Sequence, residues 1–141
     1  MSSATSNLQP AGKALSIGLW AAQIVGGAFF CFAGFTKLTT PLPELSAMMP
    51  WTGDYSEQFV RFIGLVDLAG GLGLLLPSLT RIKPNLTVLA ALGCIVLQLL
   101  AMALHASRGE YMVLPLNVFL LSISVFIWWG RGRRLPIDAR L

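Results

Sequence analysis

Hydrophobic residues form four long runs, separated by shorter stretches that hold prolines and charged residues. The runs cover residues 14–35, 59–76, 86–104 and 111–129. Because a helix needs about 20 apolar residues to cross the hydrocarbon core of a bilayer, each run predicts one transmembrane helix. No run alternates polar and apolar positions, as a half-buried strand would. The pattern therefore predicts an all-α fold, a four-transmembrane-helix bundle.

The longest connection, residues 36–58, predicts a short interfacial segment between the first and second helices. Pro43 suits the first turn of a helix, so we expect a short helix over 44–49. Its apolar face comprises Leu45, Met48 and Met49. Trp51 is of the type that lies at the lipid–water interface. Two interpretations stay open here: a cap on the bundle, or a lid over an entrance between helices.

Composition supports lipid as the solvent. The 141 residues are 55% hydrophobic and 11% charged, whereas a soluble domain carries about 25% charged residues. The first apolar run is longer than the core of a signal peptide, about 7–15 residues, so we expect it to stay as a helix. The predicted organisation is a disordered N-terminus (1–13), a membrane domain (14–130) and a solvent-exposed basic tail (131–141).

The net charge of +4 indicates membrane topology and not a nucleic-acid partner, because the basic residues flank the apolar runs. Four spans place both termini on one side. Cytoplasmic segments carry the excess of Lys and Arg, which predicts cytoplasmic termini in a multi-pass protein of the cell (inner) membrane. The basic residues on that side are Lys13, Arg81, Lys83, Arg131, Arg133, Arg134 and Arg140.

Small residues and thiols inside the runs predict packing. Gly27 and Gly34 lie seven residues apart on one helix face, which favours close helix contact within one bundle or between the copies of a homodimer. Cys31 and Cys94 differ in predicted depth by about 9 Å, and a disulfide needs Cα atoms under about 7 Å apart. We therefore expect two free thiols, and no cysteine–histidine spacing indicates a metal site.

Three polar residues fall at one level in the half of the bundle away from the termini, the outer half. Asp67, Gln98 and Asn117 lie about 12, 10 and 9 Å from the outer ends of their helices. A carboxylate at this depth is costly unless it is satisfied by neighbouring helices. Asp67 is expected either to accept hydrogen bonds from the two amides or to pair with a basic group nearer the surface. Arg61, about 120° round the same helix, would need to reach downward or use a bridging water.

His105 lies two helical turns after Gln98 and shares its face. This polar stripe leads from the buried layer towards the surface, where Lys37 and Arg108 lie. Asp67 and His105 are the candidate catalytic residues, as groups that exchange protons, but alone they are too few to bind a metal. The stripe is either a ligand, quinone or proton site, or a set of polar contacts that only fixes helix register. The predicted ligand-binding residues are Lys37, Arg61, Asp67, Gln98, His105, Arg108 and Asn117.

Three motifs carry a resemblance to a known family. They are FAGFTKLTTP (32–41), a central segment (48–84) containing RFIGLVDLAGGLGLLLP, and HASRGEYMVLPLNVFLL (105–121). Over residues 16–130 the chain resembles the DoxX-like family of small four-helix membrane proteins. Relatives usually have Glu where this chain has Asp67, one methylene shorter. The family positions that the resemblance carries over are Lys37, Arg61, Asp67 and His105.

The resemblance implies a link to redox chemistry, since the family takes its name from a membrane subunit of a thiosulfate:quinone oxidoreductase. Other relatives belong to redox stress complexes, and distant ones assist receptor assembly. The expectation is an accessory membrane subunit that binds a quinone or another small apolar ligand in the outer half. If it is enzymatic, it would be a quinone-linked oxidoreductase subunit with a partner redox subunit. The alternative is a non-enzymatic scaffold or assembly factor, and a small transporter comes third.

Overall fold

All regular secondary structure in residues 10–140, which the computed structural model describes, is helical. The predicted all-α bundle with four membrane-spanning helices is confirmed. The four long helices are α1 (Pro10–Thr39), α3 (Glu57–Thr80), α4 (Asn85–Ser107) and α5 (Leu114–Trp129), and α2 (Leu42–Met48) is short. One-turn elements are the 3₁₀ turns Pro50–Asp54 and Tyr111–Val113 and the π-helical turn Gly130–Arg134.

Large apolar side chains cover the outside of the bundle. Phe32, Leu100 and Met112 are 70%, 65% and 94% exposed, and the four spans have mean hydropathies between 1.7 and 2.4. Such an apolar exterior is unfavourable in water, while acyl chains match it. The chain is therefore a multi-pass membrane protein. The end that holds Gly12, the α3–α4 turn and Arg134 is called the basic end, and the opposite end is called the loop end.

Glycines let α1 and α3 approach each other closely. A Cβ atom on Gly34 would lie 2.5 Å from the carbonyl oxygen of Gly64, and one on Gly71 would lie 2.6 Å from the backbone nitrogen of Cys31. A larger residue at these positions would push the two backbones apart. The nearest side chain to Gly27 also belongs to α3, so the predicted role of Gly27 and Gly34 in close helix packing is confirmed.

The two thiols lie on different sides of α3. A Cβ on Gly70 would lie 3.0 Å from the Sγ atom of Cys94, and one on the next residue, Gly71, would lie 2.7 Å from the Sγ atom of Cys31. Successive helical residues point about 100° apart, so α3 separates the two sulfur atoms. Both cysteines are free, as the depth estimate predicts.

Helix α3 continues past Pro77, where the sequence analysis placed its end. It runs to Thr80 and stops at Arg81, which has a left-handed φ of 59° and donates its backbone N–H to the Pro77 carbonyl. Proline removes one backbone hydrogen bond from a helix. Here Ser78, buried and hydrogen-bonded to side chains of α1 and α4, holds the last turn in place despite that loss.

The connection between α1 and α3 packs as a cap on the loop end. Leu45 of α2 and Trp51 of the following 3₁₀ turn form a small buried cluster with Val60 of α3. Two sequence expectations are corrected. Met48 is 60% exposed and does not share the buried face of Leu45, and Trp51 is 7% exposed. The indole of Trp51 therefore fills the core of the cap instead of lying at the lipid–water interface.

The two predicted terminal boundaries also differ from the structure. Helix α1 begins at Pro10, before the predicted residue 14, and the predicted disorder of residues 1–9 lies outside the described residues. The expected exposure of the basic tail is wrong for Arg131, which is 5% exposed. The π-helical turn continues α5 and turns this guanidinium towards α1, while residues 132–134 are exposed.

The close α1–α3 contact yields a prediction on stability. Gly34→Ala should lower the free energy of unfolding by about 1–3 kcal/mol, the usual cost of overpacking, because its Cβ would meet backbone atoms of Gly64 and Leu68. The measurement is an unfolding titration with SDS in mixed micelles.

Gly93→Ala is the matched control, since a Cβ there meets nothing within 4 Å. That variant should be unchanged or up to about 1 kcal/mol more stable, because alanine favours helix over glycine. Equal effects of the two substitutions would contradict the assigned contact.

Candidate functional site

A buried ion pair joins α1 to α3 in the loop-end half. The Nζ atom of Lys37 donates to Oδ2 of Asp67 at 2.7 Å, and the two side chains are 11% and 6% exposed. Of the two alternatives from the sequence, pairing with a basic group nearer the surface is the one the structure contains. The carboxylate is thus neutralised locally, as its depth in an apolar bundle requires.

The glycine contact between α1 and α3 positions this ion pair. Gly34 and Lys37 are three residues apart on α1, and Gly64 and Asp67 are three apart on α3, so each glycine shares a face with its charged neighbour. A Cβ on Gly64 would lie 2.7 Å from the Cβ of Lys37. The small residue leaves room for the lysine stem to pass along α3 and reach the carboxylate.

Arg61 closes the end of α1 and does not bind Asp67. Its Nη1 atom donates to the carbonyl oxygens of Lys37 and Thr40, both at 2.7 Å, and its Nη2 atom lies 3.0 Å from Glu57. The last carbonyls of a helix lack partners within the helix. A cation there also complements the negative end of the helix dipole. Arg61 therefore does not form the direct pair with Asp67 that would have required it to reach downward.

The two buried amides bind each other. Nδ2 of Asn117 on α5 donates to Oε1 of Gln98 on α4 at 2.7 Å. Among residues 10–140, neither amide donates a hydrogen bond to Asp67, which was one of the two expected arrangements. The donor to Asp67 is Lys37 instead. The Oδ1 atom of Asn117 is buried and has no hydrogen-bond partner among the described residues. An acceptor without a donor, buried in an apolar bundle, is unfavourable by about 1–3 kcal/mol.

A third group of charges links the two connections at the loop end. Nδ1 of His105 lies 2.9 Å from Oε1 of Glu110, and Nε of Arg108 lies 3.2 Å from Oε2 of Glu110. Arg108 also binds Asp54, which lies in the 3₁₀ turn after α2. The chain of contacts therefore ties the α4–α5 connection to the cap.

These contacts shift the pKa values of two side chains at the membrane surface. The hydrogen bond from His105, followed by that from Arg108, lowers the pKa of Glu110 below its usual range. The hydrogen bond to Asp54 is the main cause that raises the pKa of Arg108. Glu110 and Arg108 are therefore ionised at neutral pH.

The structure thus places all seven predicted site residues in one half of the bundle but divides them by their hydrogen bonds and ion pairs. The groups are Lys37 with Asp67, Gln98 with Asn117, and His105 with Arg108 through Glu110. Arg61 stands beside the first group through the Lys37 carbonyl. No cluster of three or more His, Cys, Asp or Glu side chains in residues 10–140 could hold a metal ion.

A second buried polar network, at the basic end, was missed by the sequence analysis. Nε2 of Gln23 donates to the Leu74 carbonyl at 2.7 Å and to Ser78 at 3.0 Å, and Ser78 bonds Thr87 at 2.8 Å. Nε of Arg131 donates to Oε1 of Gln23 at 2.7 Å. The network joins α1, α3 and α4 to the π-helical turn that continues α5. Gln23, an amide inside the first apolar run, was the available signal, of the same kind as Gln98.

Comparison with known proteins identifies the fold family. A model of the DoxX-like family matches residues 21–127, which include every residue of the loop-end groups. No curated protein and no solved structure matches the chain.

The buried ion pair yields a thermodynamic prediction. Lys37→Met leaves the Asp67 carboxylate buried without a counter-charge, and breaking such a pair costs about 3–5 kcal/mol. The double variant Lys37→Met/Asp67→Leu removes both charges and should recover most of that loss. Unfolding titrations of both variants in mixed micelles measure the difference.

Glu57→Gln serves as the control for a surface charge. Its carboxylate is 58% exposed beside Arg61, so the substitution should cost under about 1 kcal/mol. A double variant as unstable as Lys37→Met would show that the apolar pair cannot replace the ionic one.

Proposed function

Because the chain belongs to the DoxX-like family, we propose that it is an accessory membrane subunit of a redox system. In this proposal its loop-end half holds the polar head group of a quinone or a similar small apolar ligand. Electrons come from a partner redox subunit. Reduction of the quinone then takes up two electrons and two protons. The polar groups of the loop end transfer these protons from the membrane surface to the quinone.

One observation carries the proposal: the buried acceptor Oδ1 of Asn117 has no donor among residues 10–140. A quinol hydroxyl is a donor of suitable chemistry, carried on a molecule that partitions into the bilayer. The neighbouring amide of Gln98 is already oriented by its hydrogen bond to Asn117, so the pair is preorganised. A hydroxyl that donates to this oxygen would satisfy a buried acceptor that the described part of the bundle leaves open at this level.

The charged groups take supporting roles in this proposal. His105 lies two turns beyond Gln98 on α4, towards the loop end, and its contact with Glu110 supports a route for protons to the surface. Asp67, neutralised by Lys37, supplies a second group that exchanges protons. Arg61 acts as a positioning residue, because its hydrogen bonds hold the end of α1.

The test is mass spectrometry of lipids and quinones that co-purify with the protein. Purified under reducing conditions, the wild type should retain quinol near one molecule per chain. Asn117→Leu should retain about tenfold less, because the quinol hydroxyl loses its acceptor. Ser122→Ala is the matched control. Ser122 lies on the same helix, and its hydroxyl donates to the backbone carbonyl of Val118 in that helix. Wild-type protein without quinone, or equal retention by Asn117→Leu, would rule the proposal out.

A second candidate function is a non-enzymatic scaffold or assembly factor. The observation that favours it is the continuous set of polar contacts across the loop end, from Asp54 through Arg108 and Glu110 to His105. Such contacts stabilise a fixed surface that a partner protein or a second copy could recognise. Purification with a partner protein and without quinone would select this candidate.

The proposed location is the cell (inner) membrane with the basic end in the cytoplasm. Exposed basic side chains at that end, among them Arg81, Lys83 and Arg133, support this orientation through the positive-inside rule. A reporter that is active only in the cytoplasm should be active when fused to the C-terminus and inactive when inserted between Gly53 and Asp54. The reverse result would invert the orientation.

A further inference from the structure

A cleft opens at the basic end between the first turns of α4 and the end of α5. It has a volume of about 170 Å³ and is lined by Val88, Trp128, Trp129, Gly132 and Arg133. Two indoles and a valine form its walls, and one guanidinium is its only charged group. The two tryptophans are 39% and 40% exposed, so the cleft is accessible from the side at the level where tryptophan meets lipid head groups.

Within residues 10–140, no ion pair balances the positive charge around this cleft. No ion pair among residues 10–140 involves Arg133, and Arg134 interacts with the Trp129 ring at 5.7 Å instead of with a carboxylate. The basic residues at this end are Lys13, Arg81, Lys83, Arg131, Arg133, Arg134 and Arg140, against the single acidic residue Asp138. An anion from outside the chain is therefore the natural counter-charge.

A larger cleft at the same end is less suited to an anion. It measures about 590 Å³ and is lined by residues that include Lys83, Asn85 and Asp138. The carboxylate of Asp138 would repel a phosphate there, whereas the smaller cleft has no acidic residue in its lining. Charge complementarity thus selects the cleft beside Arg133.

We propose that this cleft binds an anionic phospholipid of the leaflet at the basic end. Arg133 binds the phosphate, since a guanidinium can donate two parallel hydrogen bonds to phosphate oxygens. The indoles of Trp128 and Trp129 contact the glycerol and the first acyl carbons. This site lies at the opposite end from the proposed quinone site, so the two proposals stand or fall separately.

Gly132 keeps the cleft open. A Cβ there would lie 3.5 Å from Cγ1 of Val88, an ordinary contact. Alanine therefore fits, while a longer side chain would extend into the space between the helices. Val88 faces the same space from α4, so the cleft can be filled from either wall without changing any charge.

The experiment measures lipid retention by native mass spectrometry of the full chain. The protein is taken from nanodiscs that contain equal amounts of phosphatidylglycerol and phosphatidylcholine with the same acyl chains. The wild type should retain phosphatidylglycerol preferentially. Arg133→Gln should reduce that preference about tenfold, the effect expected when a hydrogen bond between two charged groups is lost. Gly132→Leu and Val88→Phe should reduce it as well, by filling the cleft.

Arg140→Gln is the matched control, because it removes the same charge at the same end outside the cleft lining. It should leave the preference unchanged. Helix content by circular dichroism verifies folding, and two filling variants on separate helices guard against failure of one. An equal loss in Arg140→Gln would indicate diffuse surface charge and overturn the proposal, as would retention of phosphatidylglycerol by both filled variants.

Discussion

An ion pair buried among apolar helices is the constraint on which the loop-end half depends. A carboxylate or an ammonium alone in a medium of low dielectric constant is unfavourable by several kcal/mol, so Lys37 and Asp67 must stay together at 2.7 Å. That distance is reached only because Gly34 and Gly64 allow α1 and α3 to touch. Helix packing and charge neutralisation are therefore one requirement, met by two residues on each helix.

Polar contacts hold the bundle at two levels, and apolar side chains fill the space between them. The core between the two levels includes Phe30, Leu74 and Leu120. Lipid offers little hydrophobic drive for helices to associate, so van der Waals packing and interhelical hydrogen bonds must specify their arrangement. At the basic end Gln23 and its neighbours join α1, α3 and α4 to the π-helical turn that continues α5, whereas at the loop end the long helices are joined in pairs.

Helix number and the buried polar positions could be predicted from the sequence, because a bilayer tolerates long apolar helices and few polar side chains within them. Which of these polar side chains bind one another could not be predicted from the sequence. It depends on the rotation of each helix, which changes by about 100° for every residue, and on side-chain reach, which lets Lys37 extend down to Asp67. Arg131 was assigned to an exposed tail because the π-helical turn that buries it has no signature in the local sequence.

Lys37 is held by α3 at two points. Its side chain binds Asp67, and its backbone carbonyl accepts a hydrogen bond from Arg61, six residues earlier on α3. The loop ends of α1 and α3 are thereby coupled as one rigid unit, while the Gln98–Asn117 bond couples α4 to α5. If these two units separated at the loop end, the bundle would open there about a hinge at the basic end. That movement would first have to break the contact between Asp54 and Arg108.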